Sequence, residues 1–138
     1  NRVYAVQEER YKETGILTAV SEDNIDGAPY FVYNTVFTDG KTWNTITESG
    51  DDASAFKSLS TKAAFGWHAL YETEYTTELI EVASKLYDED KGWYSGLYEK
   101  TGLPNKALTA NTNGIILESL AYKTLGPLLK PGQKLASK

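Results

Sequence analysis

Ser60-Thr61-Lys62-Ala63-Ala64-Phe65-Gly66-Trp67-His68-Ala69-Leu70-Tyr71 is the stretch on which the fold class turns. Its apolar residues, with Phe56 and Leu59 ahead of them, recur mostly at three- and four-residue intervals. That is the spacing of one face of an α-helix, and it predicts a helix over residues 54–71. Tyr75, Leu79, Val82, Ala83 and Leu86 repeat the pattern. The short join at residues 73–76 makes the two helices antiparallel neighbours.

Towards the C-terminus, Asp88, Asp90 and Gly92 end the pair. Residues 93–110 read as irregular, with several glycines and Pro104. Asn111 or Asn113 then caps a third helix with Ile116, Leu117, Leu120 and Ala121 inward, closed by Gly126-Pro127. Towards the N-terminus, residues 1–13 read as a short helix with Val3, Val6 and Arg10 on one face, ended by Gly15. Residues 16–20 are an apolar run suited to an extended chain, and 21–27 are turn-rich. Residues 29–37 alternate as a strand does, Asp39-Gly40 is a hairpin signal, and 41–47 form the return. The expected fold is mainly α with a small β-hairpin, without internal repeats or an interdomain linker. The Lys-rich tail, residues 129–138, is expected to be disordered.

The composition narrows the chemistry. A net charge of −5 opposes binding to a phosphate backbone, so no nucleic-acid partner is expected. Without cysteine there is no thiolate site, and the single histidine, His68, argues against zinc. No metal or cofactor is expected, because phosphate-loop, nucleophile-elbow and zinc signatures are all missing. No apolar run reaches the length of a membrane span. The chain starts at Asn1 and contains no Met. A processed product, or a piece of a longer protein, is therefore expected.

What remains is an aromatic-rich chain with ten Tyr and three Trp. In Gly92-Trp93-Tyr94-Ser95-Gly96-Leu97-Tyr98-Glu99 and Asn111-Thr112-Asn113-Gly114-Ile115-Ile116-Leu117-Glu118, rings, carboxylates and carboxamides gather around glycines. A sugar ring lies its C–H face on an aromatic plane and needs fixed polar partners for its hydroxyls. A carboxyl among rings is also where a proton donor acquires a raised pKa. The same aromatics serve equally well as helical core with their polar tips bonded.

Several strings go further. Residues 15–23 (Gly15 to Asp23), Asp26, residues 28–33, residues 60–70, residues 92–99, residues 108–118 and Gly126-Pro127-Leu128 together resemble the C-terminal half of a bacterial domain of unknown function. That domain is similar to glucoamylase-type (α/α) toroids and is often encoded beside polysaccharide synthases. The resemblance covers nearly all of residues 7–128. It implies a partial (α/α) toroid of antiparallel helix pairs, its front half supplied by a missing N-terminal segment or a second chain. It also implies an oligo- or polysaccharide ligand and a periplasmic or extracellular location.

On this reading Glu99 is the candidate catalytic acid, with a carboxylate from Glu22, Asp23 or Asp26 opposite it. The alternative for Glu99 is an ion pair with Lys100 or Lys106, and for the acidic cluster a solvated turn. A calcium loop at Glu22-x-Asn24-x-Asp26-Gly27 fails, since Tyr33 stands where the closing Glu belongs. Trp43, Trp67, His68, Trp93, Tyr94, Tyr98, Asn105, Asn111 and Asn113 are the candidate sugar contacts. The asparagines double as helix caps, and His68 doubles as a bonded structural residue. Three functions compete: a glycoside hydrolase or transglycosylase, a glycan-binding accessory module, and a structural subunit of an extracellular assembly. Two carboxyls facing one another across a cleft would favour the enzyme.

Overall fold

A computed structural model describes residues 1–129. In chain order the elements are α1 (Arg2–Thr14), β1 (Glu22–Asn24), β2 (Phe31–Asn34), β3 (Phe37–Thr38), β4 (Lys41–Thr42), β5 (Thr45–Ile46), a 3-10 turn at Ser54–Phe56, β6 (Ser58–Ser60), α2 (Thr61–Leu70), α3 (Glu74–Ala83), β7 (Tyr87–Asp88), β8 (Gly92–Trp93), β9 (Gly96–Tyr98), β10 (Pro104–Asn105) and α4 (Ala110–Leu125). The strands form four small antiparallel sheets: β1-β2-β5, β10-β9-β6, β3-β4 and β7-β8.

This overturns the expectation of a mainly α partial toroid. The described residues are a mixed α and β structure in which short strands take up much of the chain between the helices. Strands of two to four residues are too short for period-two alternation to stand out, so residues 93–110 read as irregular while they build β8, β9 and β10. The helix predicted from residue 54 begins only at Thr61, because Ser58, Leu59 and Ser60 pair with Tyr98, Leu97 and Gly96. Serine competes poorly for helix, and the ladder offers its backbone a better partner. A Cβ on Gly96 would stand 2.2 Å from the Leu59 carbonyl oxygen, so glycine is what lets these two strands close.

The second predicted helix is present as α3, started by a reciprocal Thr73–Thr76 capping box. The Asp39-Gly40 turn does join β3 to β4. α2 packs between α3 and α4. Tyr4, Ala19, Leu59, Ala64, Phe65, Tyr75, Leu79, Ala83 and Ile116 make the main core, and Ile25, Val32 and Ala53 a smaller one under the β1-β2-β5 sheet.

Two helix faces differ from the reading. α1 buries Tyr4 and Gln7 and leaves Val3 and Val6 exposed. Tyr4 stacks on Tyr71 at 4.2 Å, and Gln7 accepts the Val20 N–H, so the tethers on that side set the rotation. α4 buries Thr112, Ile116 and Ser119, while Leu117 and Leu120 face solvent. The cap of α4 is Thr109, whose side chain accepts the Thr112 N–H, which frees Asn111 and Asn113 for other contacts. Among the described residues no helix is long and apolar enough to cross a membrane. The tail lies outside them from residue 130 onward.

Candidate functional site

β1 turns successive side chains to opposite faces, which sends Asp23 inward and Glu22 outward. Asp23 is 1% exposed. Its Oδ1 accepts a hydrogen bond from Ser60 Oγ at 3.0 Å, and Lys62 Nζ lies 3.9 Å away. Among the described residues its Oδ2 has no partner. Lys62, itself buried, donates to Glu22 Oε1 at 3.1 Å and to Asn111 Oδ1 at 2.8 Å. Ser60 caps α2, Lys62 sits in its first turn, and Asn111 sits in the first turn of α4. The first turns of two helices thus meet the acidic pair through one lysine, Lys62 on α2 joining Glu22 to Asn111 on α4.

The two carboxyls respond oppositely to this setting. Burial pushes Asp23 up to about 8, further than Lys62 and Ser60 pull it back. At Glu22 burial also raises the pKa, but a backbone N–H and Lys62 outweigh it and hold the group below the ordinary carboxylate value. At neutral pH Asp23 keeps its proton and Glu22 does not.

Across the sheet Tyr33 stands opposite Glu22, and Phe31 opposite Asn24, on the same outward face. Phe31 and Tyr33 meet edge to face at 5.2 Å, and Tyr33 is 40% exposed. An aromatic strip therefore flanks the ionised carboxylate. On the other side a cleft of about 220 Å³, lined by Ser21, Lys62, Ala63, Trp67, Leu70 and Ile115 among others, runs between α2 and α4. The indole N–H of Trp67 is buried there without a partner among the described residues. Sequence reasoning missed Phe31, Tyr33 and Lys62. The alternation of residues 29–37 already put 31 and 33 on one face.

Glu99 lies elsewhere. Arg10 donates to both its oxygens, at 2.8 and 2.9 Å, and also to Thr18 Oγ1. The Arg10 guanidinium sits 4.9 Å from the ring centre of Trp43, whose backbone holds a left-handed φ of 54°. A hollow of about 540 Å³ adjoins Glu99, floored by Ile16, Leu17, Leu59, Val82 and Leu97, and neither Glu22, Asp23 nor Asp26 lines it. Asp26 belongs to a third place. It accepts the Tyr98 hydroxyl at 2.6 Å and the Lys106 N–H at 2.8 Å. Burial raises its pKa, but these bonds outweigh that and hold it low. Burial and Asp26 push the Tyr98 hydroxyl well above its ordinary value.

Most of the remaining candidates bond or pack within the fold. Asn105 is fully buried, donating to the Asn24 carbonyl and accepting the Asp26 N–H. Asn113 accepts the Trp93 N–H and donates to the Trp93 carbonyl, with Gly92 making room for it. Trp93 packs edge-on to Phe65, and the Tyr94 N–H bonds the Leu86 carbonyl. His68 contacts Thr76 and Lys123; burial first, then the Lys123 charge, lowers its pKa.

A family model described as "Protein of unknown function (DUF3131)" matches residues 1–126. The chain belongs to that family. No curated protein and no solved structure matches it. The DUF3131 match takes in Glu22, Asp23, Lys62 and Asn111, and it does not extend to the likeness with glucoamylase-type toroids.

Proposed function

We propose that the domain processes a bacterial polysaccharide, as a glycoside hydrolase or transglycosylase, at the Glu22–Asp23 pair. The supporting observation is that two adjacent carboxyls share one lysine in unlike surroundings, Asp23 sealed with one oxygen unpartnered among the described residues and Glu22 open and bonded, which drives their pKa values apart. Environments that push two such groups apart are how acid and base roles are divided in glycoside cleavage. In this reading Asp23 gives its proton to the leaving oxygen as the glycosidic C–O bond breaks, and Glu22, open to solvent, stays ionised and stabilises positive charge at the sugar. Water, or an acceptor sugar hydroxyl in transglycosylation, then bonds to the sugar carbon and returns its proton to the Asp23 carboxylate. Tyr33 and Phe31 carry the ring, and the Asn111 carboxamide and Lys62 fix Glu22. The Arg10 fork already occupies both oxygens of Glu99, so the donor role moves from Glu99 to Asp23. Such a substrate places the domain in the periplasm or outside the cell.

The second reading is a glycan-binding accessory module on the same surface. The near-complete enclosure of Asp23 favours it, since a proton donor must reach its acceptor.

The deciding experiment measures release of reducing ends from a panel of bacterial polysaccharides, beside retention of the protein on each. Under the enzymatic reading Asp23→Asn and Glu22→Gln each lower release by about 10²-fold or more while retention persists. Full release by Asp23→Asn ends that reading. Retention without release by the wild-type chain selects the binding module. Tyr33→Ala weakens retention by about 3- to 10-fold under either.

A further inference from the structure

The hollow beside Glu99 stands apart from the Glu22–Asp23 site, and its lining follows from the β6–β9 ladder. Leu59 pairs with Leu97 there, and Ser58 with Tyr98. The Glu99 N–H then bonds the Lys57 carbonyl at 2.8 Å, which carries the pairing one step further. Alternation puts Lys57 on the face of Leu59, and Glu99 on the face of Leu97. All four line the hollow, Leu59 buried and Glu99 open to solvent. Gly15, in the left-handed conformation, ends α1 and delivers Ile16 and Leu17 to the lining, and α3 adds Val82. Lys100 follows Glu99 in the turn that the Gly102 N–H closes on the Tyr98 carbonyl, and it joins the lining too.

The charges around this apolar floor are positive, in a chain whose net charge is −5. Glu99 is taken by the Arg10 fork, which leaves Lys100 without it. Neither Lys57 nor Lys100 has an ion-pair partner among the described residues. We propose that the hollow binds a medium-chain aliphatic carboxylate, its chain on the leucine floor and its head at Lys57 and Lys100. The volume, about 540 Å³, falls within the roughly 300–1,000 Å³ of small-ligand sites. The floor selects an alkyl chain over a sugar. Among the described residues Tyr98 is the single ring in the lining, and its hydroxyl is held by Asp26. The charge sign selects an anionic head. A second copy of the chain fits poorly, because a shared face would set the same lysines against each other. None of Glu22, Asp23 or Asn111 lines the hollow, so the assignment is independent of the glycan reading. A free fatty acid and a lysophospholipid with an anionic head offer the same chemistry.

The test is calorimetric titration of the 138-residue chain with decanoate, octanoate, decyltrimethylammonium and lysophosphatidylglycerol, each below its micelle concentration. Decanoate should bind, and octanoate about 10-fold more weakly for want of two methylenes. The ammonium should not bind. Lys57→Gln/Lys100→Gln should weaken decanoate by about 10-fold at low salt and by less at high salt. Circular dichroism of that variant should match the wild type, since neither lysine is buried. Val82→Asp sets a like charge against the ligand and should abolish binding. Decanoate alone assigns the site to the free acid, and competition by lysophosphatidylglycerol assigns it to lipid-borne chains as well. The proposal fails if decanoate does not bind, if the ammonium binds as tightly, if affinity ignores chain length, or if the double lysine variant keeps full affinity.

Discussion

Glu99 and Asp23 are both carboxyls beside a cation, yet their surroundings differ. At Glu99 the planar guanidinium of Arg10 donates to both oxygens. At Asp23 a single ammonium is divided among Glu22, Asn111 and Asp23, and the last receives it only at 3.9 Å. A forked cation closes its site. A point charge with too many claimants leaves one acid dry and protonated. Carboxyls of similar sequence character therefore separate into a brace and a reactive candidate first by burial, which is complete at Asp23 and partial at Glu99, and then by how fully the base beside them is shared.

The sharpest way to break this contrast is pH. The folded Asp23 titrates near 8 and an unfolded aspartate near 4, so the folded state holds the extra proton throughout that window. Stability contributed there must fall as pH rises, by up to about 1.4 kcal/mol per pH unit, and level off above 8. Glu22 and Asp26, held low, act in the other direction and lose their contribution as the solution turns acid. Urea unfolding of the wild type and of Asp23→Asn across that range should show the wild type losing stability relative to the variant as pH rises, the slopes from Glu22, Asp26 and His68 being common to both. Parallel curves would mean that Asp23 is ionised.

Arg10→Met comes next. It strands Glu99 in a partly enclosed site and removes the contacts to Thr18 and Trp43. A loss of about 2–3 kcal/mol in chemical denaturation is expected, without any change in the pH slope that belongs to Asp23. The smallest effect is that of Glu99→Gln. It keeps one hydrogen bond to the fork, so stability should drop by about 1 kcal/mol, and glycan turnover should stay within about twofold. A collapse in turnover would restore Glu99 as the acid and dissolve the contrast.

How much of this was readable beforehand depends on the length over which a pattern runs. α3 was legible because Tyr75, Leu79, Val82 and Ala83 repeat across it, and the β3–β4 turn because Asp39-Gly40 is specific. β6, β9 and β10 were not, since two or three residues carry no period and the β6–β9 pairing joins positions dozens of residues apart. The acidic cluster was visible as a cluster. Which of its members would be buried was not, because that depends on Ser60 and Lys62 at the start of a helix whose beginning was misplaced. Glu99 drew attention for its aromatic neighbours, while the arginine that saturates it sits 89 positions away.

Lys62 has a consequence of its own. It rises from one helix, is almost wholly enclosed, and ties itself to a carboxamide on another. An electrophile that acylates surface amines will reach this one last. The moment at which it does so records the parting of α2 from α4, which makes the residue a built-in reporter of local opening.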